Sequence, residues 1–178
     1  MQKLILIICF LFCMVKTFCQ TQKPISLYLQ THFNKTIYDV TYGNNPWGVG
    51  LGLQTLFLTN KKTKFKPTIE ITADTYLEDD KVLRLTPEGE PIEDLGTMIN
   101  LFAGSTYHPL QFVYLSFVVG PSFIDGQTLF GIKPSVGFYF SDNRRWTAEV
   151  SYINIFNRDK LTGKDFGTIS FTVAVKLF

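Results

Sequence analysis

The chain has 178 residues, of which 46% are hydrophobic and 18% charged, and its formal net charge is +2. A net charge this close to zero gives no support to a nucleic-acid partner. All three cysteines (Cys9, Cys13 and Cys19) lie near the start of the chain. The remainder therefore has no residues for a disulfide framework or a thiolate metal site.

The first 20 residues have the pattern of a secretory signal peptide. Lys3 supplies a positive charge, an apolar run of about twelve residues follows, and polar residues begin at Thr21. The apolar run is short for a transmembrane helix, which needs about 20 residues. We expect cleavage near Cys19 or Gln20, which leaves a single domain at residues 21–178.

Eight stretches of this domain alternate between apolar and polar or small residues, the pattern of a β-strand with two different faces. Each is about 9 to 13 residues long, which suits a tilted membrane strand. Membrane insertion would require a closed barrel, because only then are all strand backbone groups paired. The predicted strands are Ile25–Phe33, Trp47–Leu58, Lys66–Tyr76, Met98–Tyr107, Gln111–Phe123, Leu129–Phe140, Trp146–Phe156 and Thr168–Phe178.

The predicted connections are mostly short on one side of the barrel and long on the other, which is typical of membrane barrels. The exception is Ile124–Gln127, where Asp-Gly predicts a tight hairpin turn on the long side. The other connections are Asn34–Pro46, Leu77–Thr97 and Asn157–Gly167 on the long side, and 59–64, 108–110 and 141–145 on the short side.

The two faces of the strands differ in character. One is bulky and apolar without charge, whereas the other consists mostly of Gly, Ser and Thr with about five charged residues. A water-soluble barrel such as a lipocalin has its apolar face inside. An eight-stranded lumen has just enough room for side chains, which suits the small polar face. We therefore predict an all-β fold, an eight-stranded antiparallel up-and-down transmembrane barrel with its apolar face toward lipid.

In this plan the chain resembles the small eight-stranded outer-membrane β-barrels of Gram-negative bacteria, such as the OmpA and OmpX membrane domains. The resemblance implies an outer-membrane location and contact with outer-membrane lipid. It also implies recognition of the last strand by the barrel-assembly machinery. Phe178 falls on the parity of the polar residues, so we expect a local bulge or a contribution from Leu177 to that signal. The residues of the expected signal are Phe171, Val173, Val175, Leu177 and Phe178.

Charged residues on the polar face are candidates for a functional lumen. An ion or proton pathway is one interpretation, but a plug of paired charges is favoured, because an unpaired buried charge costs several kcal/mol. The predicted lumen cluster is Glu70, Asp74, Lys133, Glu149 and Lys176. The glycines of Gly48-x-Gly50-x-Gly52 share this face, where they would relieve crowding or let Tyr28 or Phe102 lie across the strand.

A lipid-modifying hydrolase is the enzyme alternative. It would use His32 with a serine of the same face. However, no Gly-x-Ser-x-Gly motif occurs. We therefore expect no enzyme, and we expect neither a cofactor nor a metal ion.

The longest connection is strongly acidic and is the candidate for contact with a partner outside the cell. A structural or surface-contact role, such as adhesion, is thus the preferred function. The alternatives are the lipid-modifying hydrolase and a periplasmic or secreted lipocalin-like carrier. The acidic residues proposed for contact are Asp79, Asp80, Glu88, Glu90, Glu93 and Asp94.

Overall fold

The computed structural model describes residues 25–38, 47–58, 63–76, 97–124, 126–140, 144–158 and 165–178. These residues form eight strands: β1 (Ile25–Tyr38), β2 (Trp47–Phe57), β3 (Phe65–Tyr76), β4 (Thr97–Tyr107), β5 (Val113–Ile124), β6 (Gln127–Tyr139), β7 (Trp146–Ile155) and β8 (Phe166–Lys176). Each strand pairs antiparallel with its neighbours in sequence, and β8 pairs with β1 to close a barrel. The predicted eight-stranded antiparallel fold is confirmed. Among the described residues, no helix is long and apolar enough to cross a membrane.

The largest difference from the predicted boundaries is in β1, which continues to Tyr38 through a segment expected to be a connection. Lys35 pairs with Trp47 on β2, and Asn34 remains buried on the inward side. The alternation of the strand thus continues beyond Phe33, although the residues become polar. The predicted tight turn is confirmed, since β5 and β6 are joined by two residues, and Gly126 has a φ of 71°.

The bulky apolar face points outward, as predicted. Leu51 is 60% exposed and Phe117 is 53% exposed, whereas Thr72 and Ser170 on the opposite face are each 1% exposed. This arrangement is the reverse of a water-soluble lipocalin-like barrel. On the outward face of the described strands the only charged side chain is that of Lys35, whose ammonium lies 5.0 Å from the centre of the Trp47 ring.

Two apolar clusters lie inside the barrel, one toward each end. We call the end from which residues 39–46 and 77–96 depart the loop end, and the opposite end the turn end. The loop-end cluster is Tyr76, Met98, Phe102, Val118, Ile124, Ile153, Ile155 and Phe166. The turn-end cluster is Tyr28, Leu56, Tyr114, Tyr139 and Ala174. Buried polar side chains occupy the lumen between them.

If the outward face meets lipid, a charge placed at its middle should be costly. Leu101, on the outward face of β4, is 43% exposed. We predict that Leu101→Arg destabilises the barrel by about 2–4 kcal/mol in lipid vesicles, because the guanidinium would lie near the bilayer midplane. Reversible urea unfolding measures this change.

The matched control is Thr97→Arg on the same face at the loop end, which should cost about 0–1 kcal/mol. A Leu101→Arg barrel as stable as the unmodified protein would contradict a lipid-facing surface.

Candidate functional site

The centre of the lumen contains a buried ion triad formed by Glu70, Lys133 and Glu149. The Lys133 ammonium, which is fully buried, forms an ion pair with Glu70 and lies 3.1 Å from Glu149 Oε1. The Tyr114 hydroxyl donates to Glu149 Oε2 at 3.0 Å, and the Gln54 amide donates to Glu70 Oε2 at 3.5 Å. The triad joins β3 to the neighbouring strands β6 and β7, so it links opposite walls of the barrel across the lumen.

Asp74 was expected in the same cluster, but it belongs to a second network toward the loop end. Its Oδ1 lies 3.0 Å from His32 Nδ1 and accepts a hydrogen bond of 2.7 Å from the Asn34 amide. Its Oδ2 accepts a hydrogen bond of 3.1 Å from the Thr72 hydroxyl. The predicted plug of five charges is thus divided. Its fifth member, Lys176, is partly exposed and lies at the turn end opposite Tyr28.

His32 has partners at both ring nitrogens, and neither partner is a serine. Its Nδ1 faces Asp74, and its Nε2 lies 3.4 Å from the side-chain oxygen of Gln30. The side chain is buried inside the barrel, where a lipid substrate would have to pass the apolar clusters to reach it. The geometry therefore gives no support to a serine hydrolase that uses His32.

Glycines on the lumen face allow these contacts, because they have no side chain to fill the space between the partners. Gly50 pairs with His32 on one side and with Asp74 on the other, so these two side chains meet across β2. A Cβ at Gly50 would overlap the Asp74 carboxylate. The glycines of Gly48-x-Gly50-x-Gly52 thus make room for four side chains, those of Tyr76, Asp74, Gln30 and His32. The expectation that Tyr28 or Phe102 would lie across this strand was wrong.

A glycine also separates two contacting side chains beside the ion triad. Gly137 pairs with Tyr114 on β5 and with Glu149 on β7. The Tyr114 ring lies where a Cβ on Gly137 would be, and its hydroxyl reaches Glu149 across β6. A glycine therefore stands between the two partners of each contact.

His108 closes the turn end of the lumen, in the connection between β4 and β5. Its Nε2 lies 2.9 Å from the Tyr139 hydroxyl, and the two rings stack with centres 5.8 Å apart. The Arg144 guanidinium also lies over the Tyr139 ring, 5.0 Å from its centre. Burial, and then the positive charges of Lys66 and Arg144, lower the pKa of His108 from 6.5 to about 4.

The last strand has the expected outward residues, but its end is irregular. Phe171 is 48% and Leu177 is 51% exposed on the outward side. The Leu177 amide donates to the carbonyl of Leu27 at 2.8 Å, and the Leu27 amide donates to the carbonyl of Phe178 at 3.1 Å. Leu177 and Phe178 thus both form backbone hydrogen bonds with the single residue Leu27, which is the pattern of a β-bulge.

Several predicted features lie outside the described residues. They are the signal peptide at residues 1–20 and all six acids proposed for contact, Asp79, Asp80, Glu88, Glu90, Glu93 and Asp94. Within the described part of the chain, no group of three or more His, Cys, Asp or Glu residues is arranged to hold a metal ion.

Comparison with solved structures places this architecture among known barrels. The crystal structure of Ail, the attachment invasion locus protein of Yersinia pestis, superposes with a TM-score of 0.57 over 86% of this chain and 97% of Ail, at 14% identity. This chain has the fold of the small outer-membrane β-barrels. A scan against protein-family models and a search of curated protein sequences found no match.

Two further structures share this fold. Ail in complex with the heparin analogue sucrose octasulfate gives a TM-score of 0.54 at 14% identity, over 86% of this chain and 97% of Ail. A de novo designed transmembrane β-barrel gives 0.53 at 10% identity, over 88% of this chain and 98% of the design. At these identities the likeness shows the fold alone.

Sequence reasoning missed several lumen partners. Asn34 was placed in a connection, and Tyr114, Gln54 and Thr72 were not assigned to the charged cluster. Their inward parity was a usable signal, because each occupies the same face as the charge it contacts. The pairing itself had no signal in the sequence, since it depends on which side chains meet across a glycine.

Loss of the central ammonium should be strongly destabilising. We predict that Lys133→Met costs about 3–5 kcal/mol, because Glu70 and Glu149 would then remain buried without their shared cation. Combining it with Glu70→Gln and Glu149→Gln should recover most of this loss. Urea unfolding in detergent or lipid measures each free energy.

The control is Lys64→Met, which removes an exposed lysine at the turn end and should change stability by about 0.5 kcal/mol or less. If the triple variant were as unstable as Lys133→Met alone, the ion triad would not account for the effect.

The stability of the turn end should depend on pH through His108. Because its folded-state pKa of about 4 lies below the ordinary value of 6.5, the unfolded chain takes up this proton first as the pH falls. The contribution of His108 is therefore complete above pH 6.5 and declines as the pH falls toward 4. We predict that His108→Gln removes this part of the pH dependence of unfolding.

The two proteins should be compared by urea unfolding at several pH values, so that other titrating groups cancel. Identical pH profiles of the two would show that His108 is not buried in its neutral form.

Proposed function

We propose that the protein is an integral outer-membrane barrel with a closed lumen, whose long connections contact a partner outside the cell. Its export would depend on the signal peptide at residues 1–20, and its insertion on the barrel-assembly machinery. The observation that carries the proposal is the reversal of the faces, with an apolar belt outside and a filled polar lumen inside.

The outward surface supports a position in a bilayer. Large apolar side chains cover it on every strand, and such an area in contact with water would be an aggregation hazard. Aromatic pairs lie near the strand ends, with Phe33 against Trp47 at the loop end and Phe65 against Tyr107 at the turn end. Aromatic side chains at both ends match the interfacial girdles of membrane barrels. These features favour outer-membrane lipid as the surrounding partner.

The side chains that fill the lumen favour a contact role for the protein over a transport role. The ion triad joins three strands at the centre of the lumen, and an apolar cluster lies on each side of it. An eight-stranded interior is just wide enough for such side chains or for one small ligand, and not for an open channel. We therefore place the activity of the protein in the connections and not in a pore.

The distribution of charge along the chain favours a basic partner. The connection at residues 77–96 contains seven acidic residues against Lys81 and Arg84, and β3 and β4 direct it to the loop end. Ail was crystallised with a polyanion, the heparin analogue sucrose octasulfate. An acidic connection would repel such a ligand, so we propose a positively charged protein surface for this chain.

The test compares the unmodified protein with a variant in which the six contact acids are replaced by their amides. Both are produced in cells of a Gram-negative host, and binding of a labelled lysine-rich peptide is measured above cells that lack the protein. We predict binding by the unmodified protein and loss of most of it in the variant, because the amides remove the charge complementarity that would select a basic peptide.

Trypsin added to the same intact cells provides the control for location. It should cut both proteins at Lys81 or Arg84, whereas Lys61 and Lys62, in a connection at the turn end, should be cut only after the cells are opened. Equal peptide binding by the two proteins would contradict the contact role. Cleavage at Lys61 and Lys62 in intact cells would contradict the orientation.

A further inference from the structure

A group of buried oxygen atoms on one wall of the lumen has no hydrogen-bond partner among the described residues. Asn34 on β1 pairs with Ser170 on β8, and Ser170 pairs with Ser151 on β7. Thr172 lies two residues further along the same inward face of β8. All four residues are at most 2% exposed, and the unpartnered atoms are Asn34 Oδ1, Ser151 Oγ, Ser170 Oγ and Thr172 Oγ1.

These four atoms form a contiguous patch that we call the oxygen patch. Three neighbouring strands supply it, and adjacent cross-strand side chains on one face lie about 4.5–5.5 Å apart at Cβ. Buried polar atoms are normally hydrogen-bonded, and each unpartnered one costs about 1–3 kcal/mol. One polar species bound beside these neighbouring positions would supply the missing partners of all four atoms.

Two carboxylates border the oxygen patch. The Asn34 amide donates to Asp74, and Thr172 pairs across the strands with Glu149. Between the two apolar clusters, the described lumen holds the three carboxylates of Glu70, Asp74 and Glu149, against one ammonium and the imidazole of His32. The carboxylates therefore outnumber the single ammonium in this part of the lumen.

A buried excess charge is costly unless a counter-ion compensates it. The ligand atoms available to an ion are hydroxyl, amide and carboxylate oxygens. Such oxygens suit a hard cation and not a soft one. One monovalent cation would offset one carboxylate of this excess. We propose that the oxygen patch, with Asp74 and Glu149 beside it, binds one monovalent cation such as sodium or potassium.

This site does not depend on the proposed contact function, because its components all lie inside the barrel. The apolar clusters at the two ends would hinder exchange in the folded protein. The cation would therefore enter as the strands close, and it would stabilise the folded barrel over the unfolded chain.

The test refolds the full barrel from urea into detergent in rubidium, sodium or choline chloride at equal ionic strength. Choline is too large to enter the lumen. With the cation at about ten times its dissociation constant, the equilibrium constant for unfolding should be about tenfold lower than in choline. Equal stability in all three salts would overturn the proposal.

The variant Ser170→Ala combined with Thr172→Val removes two of the oxygen ligands and should abolish the difference between the salts. Ser116→Ala is the matched control, since Ser116 is equally buried on the inward face but is already bonded to Thr106. It should retain the full salt difference. An unchanged salt effect in the double variant would assign the stabilisation to another site.

Crystals of the unmodified protein refolded in rubidium give a second measurement that requires no variant. The anomalous signal of rubidium should give a peak beside Ser170 and Thr172. Density there without an anomalous peak would show water alone, and this result would overturn the assignment to a cation.

Discussion

The narrow lumen is the constraint on which the rest of this structure depends. Eight strands leave little space beyond that of the side chains, so most inward positions are filled, paired or left as glycine. The protein meets this constraint with apolar clusters toward the two ends and charged groups at the centre. Because Lys133 is shared by two carboxylates from β3 and β7, the central charges also connect opposite walls of the barrel.

Glycine determines which polar groups meet inside. In an antiparallel sheet, side chains on the same face of adjacent strands are the ordinary partners. Here two of the contacts link a strand with its second neighbour, across Gly50 for His32 with Asp74 and across Gly137 for Tyr114 with Glu149. A glycine on the intervening strand opens the path, and the cost is its unfavourable entropy within a strand. Long-range pairing in this lumen is therefore encoded by an absent side chain as much as by the charged residues.

The sequence was sufficient to predict the fold and the orientation of its faces, because alternation of period two is a local property. It was insufficient where contacts depend on three-dimensional register. The extension of β1 through Asn34 was missed because polar residues replace the apolar ones at the point where the strand leaves the expected span. Asp74 was grouped with Lys133 because both face inward, yet the strand register places it beside His32. The face that a residue occupies can thus be predicted from its own strand. The side chains that it contacts can be predicted only from the alignment of two or three strands.

This division between local and long-range information bears on how such a barrel can carry a function. The apolar side chains face outward, the strand ladders pair the backbone, and the lumen networks of the described residues join the walls of the barrel. A connection at the loop end is therefore attached to a frame that has stabilising contacts of its own. A change of charge in the connection leaves these described contacts in place, and surface substitutions away from buried contacts usually alter stability by about 0.5 kcal/mol or less. Selection on the proposed external contact can then act on the acidic 77–96 connection separately from selection on the barrel. This independence is the physical reason to seek the specific activity of the protein at the loop end and the determinants of its stability in the lumen.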